Sequence, residues 1–182
     1  MRFWTQRRTR LIAACPLLFM VAAFAETPEQ DFAKRVSDYL ALHKNIESKL
    51  PKLKYTGSSV IIEGHQHALA KAIRQARANA KQGDIFTPAI SAELRRRALA
   101  AMQGDKAWRV EKSLEDSEPV KFAMKINIAY PPGVPKQSMP PSLLASLPPL
   151  PPELEYRLLG GTLVLLDIRA DLVVDLDPDF FP

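Results

Sequence analysis

Phe32, Val36, Tyr39, His43, Ile46 and Leu50 recur every three or four positions in TPEQDFAKRVSDYLALHKNIESKL. That spacing draws one apolar stripe down a helix. Thr27 can cap it, Pro28 suits its first position, Gln30 completes a capping box, and Pro51 ends it. A second helix is expected from about Val60 to Lys81, with Ile62, Leu69, Ile73, Ala76 and Ala80 inward and Gly83 as its stop. Ser58 and Ser59 stand where its cap belongs. Thr87-Pro88 repeats the cap-and-proline device and opens a third helix to about Met102, with Ile90, Leu94, Ala98 and Ala101 inward. The short QGDIFTP connection predicts that helices two and three are antiparallel neighbours.

The period then changes from helix to strand. In VKFAMKINIAY, Val120, Phe122, Met124, Ile126, Ile128 and Tyr130 alternate with other residues, which predicts a strand with one buried face. Leu154 to Leu159 is a second such run, and Gly160-Gly161 predicts a tight hairpin into a third. Val164, Leu166, Ile168, Ala170, Leu172, Val174 and Leu176 then share one parity, opposite Asp167, Arg169, Asp171 and Asp175. So long an alternation is either one long strand or two with a bend near Asp171, and the bend is the favoured reading. Helices first and strands last, each with one apolar face, predict an α+β fold. Three N-terminal helices pack on one face of a small C-terminal antiparallel sheet. The helical part is residues 26–112 and the strand part 113–182 of a single domain.

Nine of the 16 prolines lie between Pro131 and Pro152. Alone, that density suggests a polyproline docking peptide. The segment joins two strands, however, and carries Leu143, Leu144, Leu147 and Leu150. Pro141 before SLLASL suits the start of a helical turn. An ordered, packed, proline-rich crossover is therefore the favoured expectation, with a structural envelope protein that docks through this segment as the alternative.

Composition changes the picture at the N-terminus. MRFWTQRRTR carries Arg2, Arg7, Arg8 and Arg10 without an acid, and LIAACPLLFMVAAFA follows, closing on Ala23-Phe24-Ala25. Basic head, apolar run and small-x-small end describe a secretory signal peptide over residues 1–25, cleaved after Ala25. Lipidation at Cys15 is the less favoured variant, because most of the apolar run follows that cysteine. The expected location is periplasmic or secreted. Four of the 25 basic residues lie in that segment, leaving 21 bases against 20 acids, so the charge of +5 is largely borrowed from it. A globally basic nucleic-acid binder is not supported, and no nucleic-acid partner is expected. The single cysteine lies there too, so the remaining chain has no disulfide, thiolate nucleophile or cysteine metal site.

QGDIFTP, PPSLLASLPPLPPELEYRLLGG and LLDIRADLVVD together resemble segments of a group of uncharacterised secreted bacterial proteins. The resemblance covers about Phe32 to Pro182 and implies a bacterial origin and one compact domain. It implies no activity.

Candidate chemistry is sparse. His65 and His67, beside Glu63, are the nearest approach to a metal motif, and a metal-dependent hydrolase using them is one alternative function. Helical ligands want spacings of three or four, whereas positions two apart diverge by about 200°. Exposed helix-surface histidines are the simpler expectation, and His43 reads as a hydrogen-bonded core histidine. There is no Gly-x-Ser-x-Gly, no serine–histidine–acid set and no phosphate loop, so no catalytic residue and no cofactor is assigned. Asp175, Asp177 and Asp179 read as solvated acids at a strand end. Lys71, Arg74, Arg77, Arg95, Arg96 and Arg97 could gather into one basic face and contact an anionic envelope component or an acidic protein. A non-enzymatic binding domain is the expectation that remains.

Overall fold

The computed structural model describes residues 26–103, 108, 112, 124–130, 139–178, 180 and 181, and among these three long helices and a one-turn helix precede three strands. Helix α1 spans Pro28–Glu47. Its capping box is complete: Thr27 Oγ1 accepts from the Gln30 amide and Gln30 Oε1 from that of Thr27. Phe32, Val36, Tyr39 and His43 are buried, as the stripe requires. Helix α2 spans Ser59–Ala76, behind an N-cap Ser58 that makes no side-chain cap bond. Helix α3 spans Pro88–Ala101 and buries Ile90, Ser91, Leu94 and Ala98.

Two helical expectations are corrected. Helix α2 stops at Ala76, short of Lys81, because tertiary partners close its end: the side-chain amide of Asn127 donates to the carbonyls of Arg74 and Arg77. Helices α2 and α3 are also not each other's main neighbours, since both pack chiefly on α1. The connection between them turns instead onto the sheet.

The sheet has strand order β1-β2-β3, all antiparallel, with β1 at Leu154–Leu159, β2 at Thr162–Asp167 and β3 at Leu172–Asp177. Gly160 and Gly161, with φ of 53° and 84°, make the two-residue turn whose positive φ values match the strand twist. The expected bend is present: Asp167 Oδ1 accepts the amides of Arg169 and Ala170, and Asp171 takes φ 49° before β3 begins.

A shift of register between Leu165 and Leu166 breaks the long parity. Leu163, Leu165, Leu172 and Val174 join Leu154, Tyr156 and Leu158 under the helices. Val164, Leu166, Val173 and Leu176 form a second cluster with Leu159 and Tyr130. Both faces of the sheet are therefore buried, not one. Met124, Ile126 and Ile128 pack on the second face, but the described part of the expected 120–130 strand is not a regular strand. Asn127 takes φ 58° in a turn that aims its amide at α2, leaving one bridge, Ala129 to Leu172. Residues 120–123 lie outside the described residues.

The proline-rich crossover is ordered over its described half. Pro141–Leu144 forms a one-turn helix, α4, against α3, and Met139, Leu143 and Leu147 are buried. Residues 131–138 lie outside the described residues.

Three aspartates join the helical layer to the sheet. Asp167 meets α1, Asp175 meets the connection between α2 and α3, and Asp177 meets α3. All three are buried, so the expectation of solvated acids fails for Asp175 and Asp177; Asp179 lies outside the described residues. Asp175 accepts from the amides of Gly83, Ile85 and Phe86 at 2.9, 2.7 and 2.8 Å. A buried carboxylate is tolerable when several donors replace its water.

Candidate functional site

The end of α1, the 48–58 connection, the first half of α2 and the β2–β3 turn enclose a groove of about 680 Å³. Its apolar lining is Leu53, Ile62, Leu69 and Ile168; Lys44, Lys52 and Arg169 stand on it against one carboxylate, Glu47. A second hollow of about 440 Å³ adjoins it across Leu53, sharing Lys52 and His65 and adding Pro51, Ile61, Gly64 and Ala68. Helix α1 ends at Glu47, and Pro51 keeps the chain beyond it from resuming a helix. The polar, glycine-containing connection then leaves the start of α2 uncovered.

Behind the groove lies a polar network. Asp167 Oδ2 stands 2.6 Å from both the Tyr39 hydroxyl and His43 Nδ1. Burial disfavours the imidazolium, but hydrogen bonding to Asp167 and its charge, with Glu47 and Glu153 nearby, outweigh burial and raise the His43 pKa. Burial, then the charge of Asp167, raises that of Tyr39 far beyond any physiological pH. Tyr39 therefore stays a neutral donor. His43 Nε2 has no hydrogen-bond partner and lies 3.6 Å from Glu47 Oε2, while Glu47 accepts from Arg169 at 3.0 Å. The same aspartate that holds α1 thus shapes the turn that places Ile168 and Arg169 on the groove. The network ties the end of α1 to the β2–β3 turn through buried side chains alone.

His65 and His67 sit on α2, where His65 lines both hollows and His67 is exposed. Among the described residues, no group of three metal-ligating side chains comes together. The six cations of the expected basic face are divided. Arg95 pairs with Asp177 at 3.0 Å, Arg96 with Glu93 at 2.6 Å, and Arg97 with Glu93 and Glu29. Arg77 donates to the Val174 carbonyl and lies 5.2 Å from the centre of the Tyr39 ring. Lys71 and Arg74 are exposed. A hollow of about 440 Å³ beside α3 includes Arg95, but Asp177 lines it as well and balances that charge. Ala25 and Cys15 lie outside the described residues.

The groove was missed by inspection of helical stripes because its walls come from three separate parts of the chain. One signal was present: no acid occurs between Glu47 and Glu63, a run that holds Lys49, Lys52 and Lys54 among Leu50, Leu53, Tyr55, Val60, Ile61 and Ile62. Comparison with protein-family models, with curated proteins and with solved structures finds no match. No helix among the described residues is long and apolar enough to cross a membrane.

Proposed function

We propose that residues 1–25 direct export and that the remaining chain is a non-enzymatic binding domain of the periplasm or extracellular space. Its ligand is an anionic amphiphile, held with its apolar part in the paired hollows beside Leu53 and its charge against Lys44, Lys52 and Arg169. The observation that carries this reading is the groove itself: an apolar floor under three cations and one carboxylate, in the size range of small-molecule sites. Arg169 pairs with Glu47 and Lys44 lies 3.7 Å from Glu153, so Lys52 is the groove cation without an ion pair among the described residues, whereas Arg95, Arg96 and Arg97 are all paired.

Gly64 adds support. A glycine inside a helix costs about 1 kcal/mol relative to alanine. A Cβ at Gly64 would meet nothing within 4 Å, so packing does not require the glycine. What it preserves is the open floor of the second hollow. Titration of the protein with dodecanoate or dodecyl phosphate, followed by calorimetry, tests the reading. Saturable binding is expected, weakened about tenfold or more in Gly64→Leu, which fills the hollow without harming the helix. Absence of binding, or equal binding by that variant, overturns it.

A further inference from the structure

The side chains around the hollows do not only line them; several project away from the protein. Tyr55 is 108% exposed relative to a reference residue, Val60 75%, Ile61 55% and Leu53 44%. These are four of the eight exposed large hydrophobic side chains among the described residues, gathered within nine positions of the chain. A fifth, Ile168, is on the adjoining groove wall. Such clustering marks an interaction surface, whereas single exposed apolar side chains are ordinary.

The charges around this tip select its partner. Lys49, Lys52 and Lys54 are all exposed and interleave with the apolar side chains, in a run of chain without an acid. Helix α2 begins in the same patch with no acidic residue in its first turn, so its positive dipole end is not neutralised there. Apolar tips among flexible cations match the boundary of a bilayer, where a tyrosine ring or aliphatic side chain enters among the acyl chains and lysines reach anionic headgroups.

We infer that the 49–61 segment docks the protein on an anionic bilayer surface, Leu53, Tyr55, Val60 and Ile61 entering the interface and Lys49, Lys52 and Lys54 meeting headgroup phosphates. Docking sets the mouths of both hollows, which share Leu53 and Lys52, beside the membrane. A bilayer is then the source of the amphiphile, and this identification of the source rests on the groove reading. The docking patch stands on the outward projection of its side chains, among which Tyr55, Val60 and Lys49 line neither hollow.

Sedimentation of the exported protein with vesicles tests it, using phosphatidylcholine alone and phosphatidylcholine mixed with an equal part of phosphatidylglycerol. Binding to the mixed vesicles and not to the neutral ones is expected. Lys52→Gln/Lys54→Gln should weaken it about thirtyfold, from roughly fivefold per lysine at an anionic surface. Tyr55→Ser/Val60→Ser, at positions that line neither hollow, should also release the protein, and these exposed positions leave thermal stability unchanged. Equal binding to both vesicle types, full binding by the serine variant, or capture by a polyglutamate peptide in place of vesicles overturns the proposal. Failure on vesicles with dodecanoate still bound removes the docking patch alone. Vesicle binding that Gly64→Leu leaves intact, without dodecanoate binding, removes the groove reading alone.

Discussion

His43 Nδ1 stands 2.6 Å from Asp167 Oδ2, with both side chains wholly buried and 124 positions apart in the chain. The contact closes the end of α1 onto the end of β2. Tyr39, one helical turn earlier, donates to the same oxygen, and two turn amides hold the other. Asp167 is thereby satisfied on both sides, which is the condition for burying a carboxylate.

That pairing makes stability depend on pH with a defined sign. The folded protein raises the pKa of His43 above its ordinary 6.5, so the native state holds the proton more tightly than the unfolded chain does. The contribution is complete below pH 6.5 and is lost as pH rises through the folded value. The groups facing His43 are Asp167, Glu47, Glu153 and the Tyr39 hydroxyl. Urea midpoints should fall on the alkaline side in the wild type, and His43→Gln should lack that limb. An alkaline rise in wild-type stability would contradict the assignment.

Asp175 carries a larger share of helix–sheet attachment than its place in an acidic tail suggests. Replacing it by alanine strands the buried amides of Ile85 and Phe86 and the partly buried amide of Gly83. Each unsatisfied buried donor costs about 1–3 kcal/mol, so Asp175→Ala should cost about 3 kcal/mol or more. Denaturant unfolding measures the loss. Hydrogen exchange localises it, since the Ile85 and Phe86 amides should exchange far faster than those of α1.

These aspartates explain what the chain's pattern could and could not reveal. The capped start of α1, the proline start of α3, the Gly160-Gly161 hairpin and the bend before β3 are local events legible in the sequence, although Ser58 and Thr87 make no side-chain cap bond. His43 on its stripe was legible for the same reason. Asp167, Asp175 and Asp177 are not, because alternation reports polarity and not the donors waiting on another element. Asn127 likewise interrupts a clean alternating run, since capping α2 and entering the left-handed region prevail over local strand preference. The groove needed three distant segments to meet and left only its acid-free lysine run as a trace.

Adjacent arginines on α3 should behave differently. Among the described residues Arg96 reaches only Glu93, three positions away on the same helix. Solvent screens an exposed pair of this kind, so Arg96→Ala should be nearly neutral. Arg95 faces Asp177, a carboxylate that is only 7% exposed. Arg95→Ala leaves that charge without its partner and should cost about 1–3 kcal/mol. Thermal unfolding of the two variants side by side decides the matter, and equal losses would show that Asp177 draws little from α3.

Leu143 and Leu144 provide the corresponding test for the proline-rich crossover. Leu143 is fully buried against the core, whereas Leu144 is 46% exposed on the same turn of α4. A free docking peptide would lose no stability from either change. A packed crossover loses about 2–5 kcal/mol from Leu143→Ala, the usual range for emptying a buried leucine site. It loses almost nothing from Leu144→Ala. Limited proteolysis gives the second readout, because Leu143, Leu147 and Met139 hold the chain onto the core on both sides of α4. Cleavage within residues 139–152 should be slow in the wild type and in Leu144→Ala, and fast in Leu143→Ala. Rapid cleavage in all three would return the segment to the role of an exposed ligand.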